Sequence, residues 1–352
     1  MIDLLTKTRP ADGLSLGQII ALWERILSFS PVGPDDDFFD LGGDSLLALQ
    51  LFHEIERATG RTLPITAIYE AATPAKLWDL LDGAAPAPFS PLVTIKPGRS
   101  GNQAPPLFIF HGIGGNVLEL ERVGRLIETD RAVIAIQAKG VDGTAEPIDR
   151  LEAMIDFYLP ALRARQPHGP YYLAGYSFGG LLGMEVARRL KAAGETVALL
   201  LFIDSFAHPN TFPKAARQIV RLNTVLHAFA SMPPHRAVRF VLARLRGGAD
   251  PMSRAGQLLA SDDVVPAQAE ALRRVYDAAS TALLHYWPQP YAGKIVFVRA
   301  KTSIFPVAPA RVWGKLVDCI DLHIVDADHD SLVREDAPLL AATVSQILSA
   351  AS

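Results

Sequence analysis

From residue 107 onward, short apolar runs alternate with longer stretches of helical pattern. The runs are "LFIF" at Leu107, "AVIAIQ" at Ala132, "YYLAG" at Tyr171, "ALLLFID" at Ala198, "KIVFVRA" at Lys294 and "LHIV" at Leu322. Strands this short and apolar on both faces, separated by helices, predict a mostly parallel sheet covered by helices. One interval breaks the rhythm. Between Ser205 and about Trp287 there is no strand signal, only helical stretches such as "KAARQIVRLNTVLHAFA" and "AQAEALRRVYDAASTALLHY". Residues 206–287 are therefore expected to form a helical lid over one face of the sheet.

The chain before this block has a different texture. Ser15 and Gln18 have the spacing of a capping box, and Ile19, Trp23, Ile26 and Leu27 then recur on one helical face. A second helix follows Ser45 through Leu46, Leu49, Phe52 and Glu56 to Gly60, and a third runs from Pro74 to Leu81. Between the blocks, "GAAPAPFSP" (Gly83 to Pro91) is rich in Ala and Pro, carries no charge and has no period, which is how a linker reads. The chain is 352 residues long, enough for two domains at roughly 150 residues each. The expected division is an all-α bundle over residues 1–83, a linker over 84–90 and an α/β domain over 91–352.

Composition excludes several classes of function. With 49% hydrophobic and 20% charged residues and a net charge of −3, nothing marks the chain for nucleic acid. No apolar run approaches the roughly 20 residues that span a bilayer, and the N-terminus does not read as a signal peptide. The single cysteine, Cys319, forms no internal disulfide and is expected as a buried strand residue, so a cytoplasmic setting follows and no metal site is expected.

The densest chemical signal is "YYLAGYSFGG" followed at once by the helical "GLLGMEVARRLKAAG". Gly175-x-Ser177-x-Gly179 between a strand and a helix is the elbow that lifts a serine hydroxyl above an α/β-hydrolase sheet. Such a serine needs a base, and the base needs an orienting acid, in the order serine, acid, histidine. No carboxylate ends the "KIVFVRA" strand, but "LLLFIDS" ends in Asp204, which also reads as a cap for the first lid helix. Among nine histidines, His329 alone follows a late strand and precedes a terminal helix, whose expected cap is Asp336. The carboxylates beside it, Asp326 and Asp328, stand next in line for the acid role; with Asp330 they read as solvated turn residues. Glycine-rich "FHGIGGN" supplies freedom for an oxyanion hole, with backbone N–H donors at Ile113 and Phe178; His111 beside it reads as packing.

The remaining signal lies in the first block. "DDDFFDLGGDSLLALQ" places Asp44 and Ser45 before an apolar helix, which by itself is an N-cap signature. The stretch closely resembles the phosphopantetheine attachment site of carrier proteins in non-ribosomal peptide and polyketide synthases, with Gly42, Gly43, Asp44, Ser45 and Leu46 matching the motif. The second block, roughly Pro91 to Leu348, resembles the thioesterase domains that end such assembly lines, on "GYSFGG", "FIDS" and "DHDSLV". The resemblance implies a carrier–thioesterase didomain with 4'-phosphopantetheine attached to Ser45 by a phosphopantetheinyl transferase. Upstream synthetase or synthase modules would deliver a small-molecule acyl chain, which Ser177, His329 and Asp204 would release by hydrolysis or macrocyclisation. Two other readings remain open: an esterase or lipase on soluble esters, for which the fused carrier has no role, and a binding scaffold that has lost its chemistry.

Overall fold

The computed structural model describes residues 13–43, 45–64, 67–82, 89–101, 103–205, 266–303 and 307–351. The chain divides into two compact units, residues 1–90 with 258–271 and residues 91–257 with 272–352. The first unit contains helices α1 (Leu16–Leu27), α2 (Ser45–Thr59), α3 (Ala67–Glu70) and α4 (Pro74–Asp82), with no strand among its described residues. The capping box at the start of α1 is formed in both directions. Ser15 N–H donates to Gln18 Oε1 at 2.8 Å, and Gln18 N–H donates to Ser15 Oγ at 3.3 Å. The face of α1 that carries Ile19 and Trp23 is fully buried, together with Phe38, Phe52 and Leu77. Phe38 meets Trp23 edge-on at 5.2 Å, and Phe39 stacks on Tyr69 at 5.2 Å. The aromatic pair of the acidic loop thus anchors that loop in the helical core.

The second unit is built on a seven-stranded sheet of order β1-β3-β2-β4-β5-β6-β7. Its strands are β1 (Leu92–Lys96), β2 (Leu107–Phe110), β3 (Val133–Ile136), β4 (Tyr171–Tyr176), β5 (Val197–Ile203), β6 (Tyr291–Thr302) and β7 (Val317–Asp328). Every residue of β2, β3 and β4 is buried, as their unbroken apolar runs require when helices cover both faces. The covering helices are α5 (Leu118–Leu126), α6 (Leu151–Arg165), α7 (Gly179–Ala192), α8 (Pro266–His285), the short α9 (Pro309–Trp313) and α10 (Ala337–Ala350). All neighbouring strands pair in parallel except β1, which runs antiparallel to β3 with Leu92 opposite Ile136. The sequence reading had no strand at β1. "LVTIK" is interrupted by Thr94 and ends in Lys96, so it is no unbroken apolar run, and β3 supplies the pairing that makes it a strand.

Two further expectations meet correction. Cys319 lies on a strand, but β7 is the sheet edge and the thiol is exposed. Asp336 does occupy the N-cap of α10, yet its side chain accepts no capping bond. Of the expected lid, residues 206–265 lie outside the described residues, as do residues 84–88 of the expected linker. The last lid helix is present as α8, and Ala279 and Ala282, with Tyr286 just past its end, place its apolar face in the core of the second unit. Val275 lies directly against Gly115, at the edge of the sheet where the parallel strands end.

Candidate active site

Ser177 follows β4 with φ 53°, a left-handed conformation that costs a non-glycine residue on the order of 1–3 kcal/mol. Close packing around it holds the strain. A Cβ on Gly175 would strike the Gly179 carbonyl, one on Gly179 the Phe110 and His111 carbonyls, and one on Gly180 the Ser205 hydroxyl. Ser177 N–H donates to the Ile203 carbonyl at 2.9 Å, and the Ser205 hydroxyl donates to the Ser177 carbonyl. Trp313 Nε1–H in turn donates to the Ser205 carbonyl at 3.3 Å. The elbow is therefore braced by β2, β5 and α9, and its serine stands at the N-terminal end of α7.

Asp204 directly follows β5, fully buried and itself left-handed at φ 42°. Its Oδ1 accepts the Ala300 N–H at 3.1 Å, and its Oδ2 lies 2.7 Å from His329 Nδ1. Because the carboxylate accepts, His329 carries a proton on Nδ1 and leaves Nε2 unprotonated. The His329 ring stacks on Tyr176 at 5.0 Å, and the Tyr176 hydroxyl donates to the His329 carbonyl at 2.8 Å. Tyr176 directly precedes Ser177, so the histidine loop is fastened to the elbow. Burial works to lower the His329 pKa, but the hydrogen bond to Asp204 and its charge, with Asp330 and Glu119 adding, raise it above the ordinary imidazole value.

The competing acids are occupied elsewhere. Asp326 pairs with Lys301 at 3.0 Å on the surface, and Asp328 accepts the Asp330 and Ser331 N–H groups at 2.9 and 2.8 Å, which shapes the His329 loop. Ile113 lies in the turn that Gly115 N–H closes onto the Gly112 carbonyl at 3.1 Å. Phe178 is the N-cap residue of α7. Among the described residues, neither the Ile113 nor the Phe178 N–H makes a hydrogen bond. The structure thus joins Asp204 to His329 directly and sets Ser177 on the same edge of the sheet.

Sequence reasoning missed one carboxylate. Glu119, buried in the first turn of α5, accepts the Gly112 N–H at 3.2 Å and adds negative charge near His329. In the sequence it is one of two acids in a helix's first turn, where the dipole alone explains an acid, so no local signal set it apart. In the first unit, Ser45 is the first residue of α2, and its side chain lies outside the described residues. Before it, Gly42 is exposed at φ 90° with open space around its α-carbon, whereas Gly43 is packed onto the Phe38 ring and carbonyl.

A family profile described as a thioesterase domain matches residues 105–348, more than half of the chain. The chain belongs to this thioesterase family. A second profile, described as a phosphopantetheine attachment site, matches residues 17–81. Enterobactin synthase component F of Escherichia coli O157:H7 is 30% identical over 335 residues, which cover 93% of this chain and 24% of that protein. Indigoidine synthase of Dickeya dadantii is 35% identical over 186 residues, 53% of this chain and 12% of that protein. The chain spans about a quarter or less of the length of these curated relatives. Among solved structures, a four-domain non-ribosomal peptide synthetase bound to AMP and glycine superposes with a TM-score of 0.57 at 25% identity, over 97% of this chain and 26% of that one. The type II thioesterase BorB of the borrelidin cluster shares the fold, with a TM-score of 0.51 at 22% identity, covering 72% of this chain and 96% of that one. The protein is thus a thioesterase joined to a phosphopantetheine carrier domain, the architecture of non-ribosomal peptide synthetases. Among the described residues, no helix is long and apolar enough to cross a membrane.

Proposed function

We propose that this chain releases an acyl or peptidyl chain from its own carrier through an acyl-enzyme on Ser177. The observation that carries this reading is the 2.7 Å bond from His329 to Asp204 beside a serine held at positive φ on the elbow. Ser45 is the attachment point for phosphopantetheine, which supplies a thiol on a long arm that holds the acyl chain as a thioester. Gly42, three residues before Ser45, is exposed with open space about it.

In the first step, His329 Nε2 takes the Ser177 hydroxyl proton while Ser177 Oγ bonds to the acyl carbonyl carbon. Asp204 stabilises the imidazolium that forms. The Ile113 and Phe178 N–H groups hold the oxyanion, donors whose value lies in being aimed before charge develops. His329 then returns the proton to the departing sulfur as the C–S bond breaks, leaving an ester on Ser177. In the second step His329 deprotonates water, or an amine or hydroxyl of the acyl chain itself. That nucleophile displaces Ser177, giving a free acid or a ring. Because carrier and thioesterase share one chain, delivery is intramolecular and weak docking suffices.

The test begins with a phosphopantetheinyl transferase and coenzyme A, after which intact mass should rise by one arm and peptide mapping should locate it at Ser45. With an acyl arm loaded, the wild type should lose the acyl mass over time, whereas Ser177→Ala should retain it on the Ser45 peptide. Release by Ser177→Ala at the wild-type rate would sink the proposal.

A further inference from the structure

The mechanism above leaves one buried polar pair beside the oxyanion turn unused. His111 is fully buried, with Nδ1 2.6 Å from the Gly112 carbonyl and Nε2 2.8 Å from the Tyr158 hydroxyl. A carbonyl only accepts, so Nδ1 carries the proton and Nε2 accepts from the Tyr158 O–H. Burial lowers the His111 pKa to about 4 and pushes Tyr158 up, so the pair is neutral with its donors in a fixed order. A core that needed only packing would use an apolar side chain here, because buried polar groups are costly unless bonded.

The consequence falls on Ile113. The peptide joining Gly112 to Ile113 is planar and trans, so its C=O and N–H point in opposite directions. A carbonyl drawn inward to His111, and held also by Gly115 N–H at 3.1 Å, turns the Ile113 N–H outward. On the other side, Glu119 holds the Gly112 N–H at 3.2 Å. No side chain at 112 can help, since a Cβ there would lie 2.8 Å from Glu119 Oε1 and 3.2 Å from the Tyr176 ring. A glycine turn is intrinsically loose, and hydrogen bonds must hold it. We propose that His111, kept in register by Tyr158, is a positioning residue that pins the Gly112 carbonyl and thereby aims the Ile113 N–H at the oxyanion. This rests on the reading of Ile113 as an oxyanion donor.

The experiment uses the full chain, a soluble acyl thioester, a boronic acid bearing the same acyl group as a tetrahedral mimic, and the matching thioether as a ground-state mimic. His111→Leu keeps bulk and removes the donor, His111→Asn returns an N–H close to the place of Nδ1–H, and Tyr158→Phe removes only the hydroxyl. His111→Leu should lower kcat about 10- to 100-fold, less than the roughly 10²–10³ for deleting a donor outright, with KM little changed. The boronate should weaken by the same factor and the thioether not at all. His111→Asn should recover most of the loss, and Tyr158→Phe should show a smaller loss with the same split. Equal weakening of boronate and thioether, unchanged kcat in folded His111→Leu, or no recovery in His111→Asn overturns the inference. Should His111→Leu fail to fold, Tyr158→Phe decides alone, and unchanged kcat and boronate affinity overturn it. Ser177→Ala separates the two levels: if it stays active, the reading beneath has failed, and if it is inactive while the His111 split is missing, only this inference has.

Discussion

The chain presents two serines in glycine turns that lead into helices, Ser45 and Ser177, and the two turns are built in different ways. Before Ser45 the shape is set within one loop: Leu41, Gly42 and Gly43 N–H groups donate to the carbonyls of Asp37, Phe39 and Phe38, and Gly43 packs on the Phe38 ring. Gly42 takes the positive φ, so the strain falls on a residue that tolerates it. At Ser177 the serine itself takes the positive φ. The atoms that forbid a side chain on Gly179 and Gly180 come from distant segments, Phe110, His111 and Ser205. An attachment point must be reachable by another enzyme, and the loop before Ser45, though anchored in the helical core by Phe38 and Phe39, keeps Gly42 exposed. A nucleophile must be held against a base, which takes the bracing of several strands.

The comparison breaks most sharply on the serines themselves. Ser177→Ala should cost turnover on the order of 10⁶-fold with a soluble thioester. Ser45→Ala should gain no arm by mass yet hydrolyse that thioester at the wild-type rate. Abolished soluble activity in a folded Ser45→Ala would mean that the two turns are not independent.

Asp204→Asn should lower turnover on the order of 10⁴-fold with the fold intact, because the imidazole loses its orienting acceptor. The pH profile sharpens this. His329 acts as a base only when neutral, and its pKa is raised, so the acid limb of wild-type activity should lie above pH 6.5. In Asp204→Asn the chief raising partner is gone and burial dominates, so the limb of the residual activity should move to lower pH. A limb left in place would move the orienting role to another acid.

Substitutions at the glycines test the bracing. Gly175→Ala drives a Cβ into the Gly179 carbonyl and should cost on the order of 3 kcal/mol in chemical denaturation, with activity lost alongside. Gly42→Ala meets nothing, and only its φ of 90° penalises it, so about 1 kcal/mol is expected, with soluble thioesterase activity unchanged. Equal costs would show that the elbow is no more constrained than the carrier loop.

The sequence-to-structure relation follows the same division. The six apolar runs each became a strand; in β2, β3 and β4 burial on both faces writes itself into unbroken local composition, whereas "LHIV" lies on edge strand β7 with Leu322 and Ile324 exposed. β1 carries no such run, since only Val93 and Ile95 are buried and its one sheet neighbour is β3. Asp204 stood first among the acids because it ends a strand, and its bond to His329 is present. That Asp326 turns to Lys301 and Asp328 to its own loop could not be read from their spacing. His111 looked like packing; that it also grips the Gly112 carbonyl depends on Tyr158, 47 residues away.

By itself the sequence determined the two-block order, the parallel sheet, the elbow at Gly175 to Gly179 and the glycine turn before Ser45, because backbone strain and strand burial are imposed by adjacent residues. Only the tertiary structure decided which carboxylate meets His329, that Glu119 is a buried acid and not a surface one, that Gly180 must leave room for the Ser205 hydroxyl, and that Cys319 lies exposed at the sheet edge. Burial, charge pairing and close approach belong to residues brought together from far along the chain, and no window of sequence contains both partners.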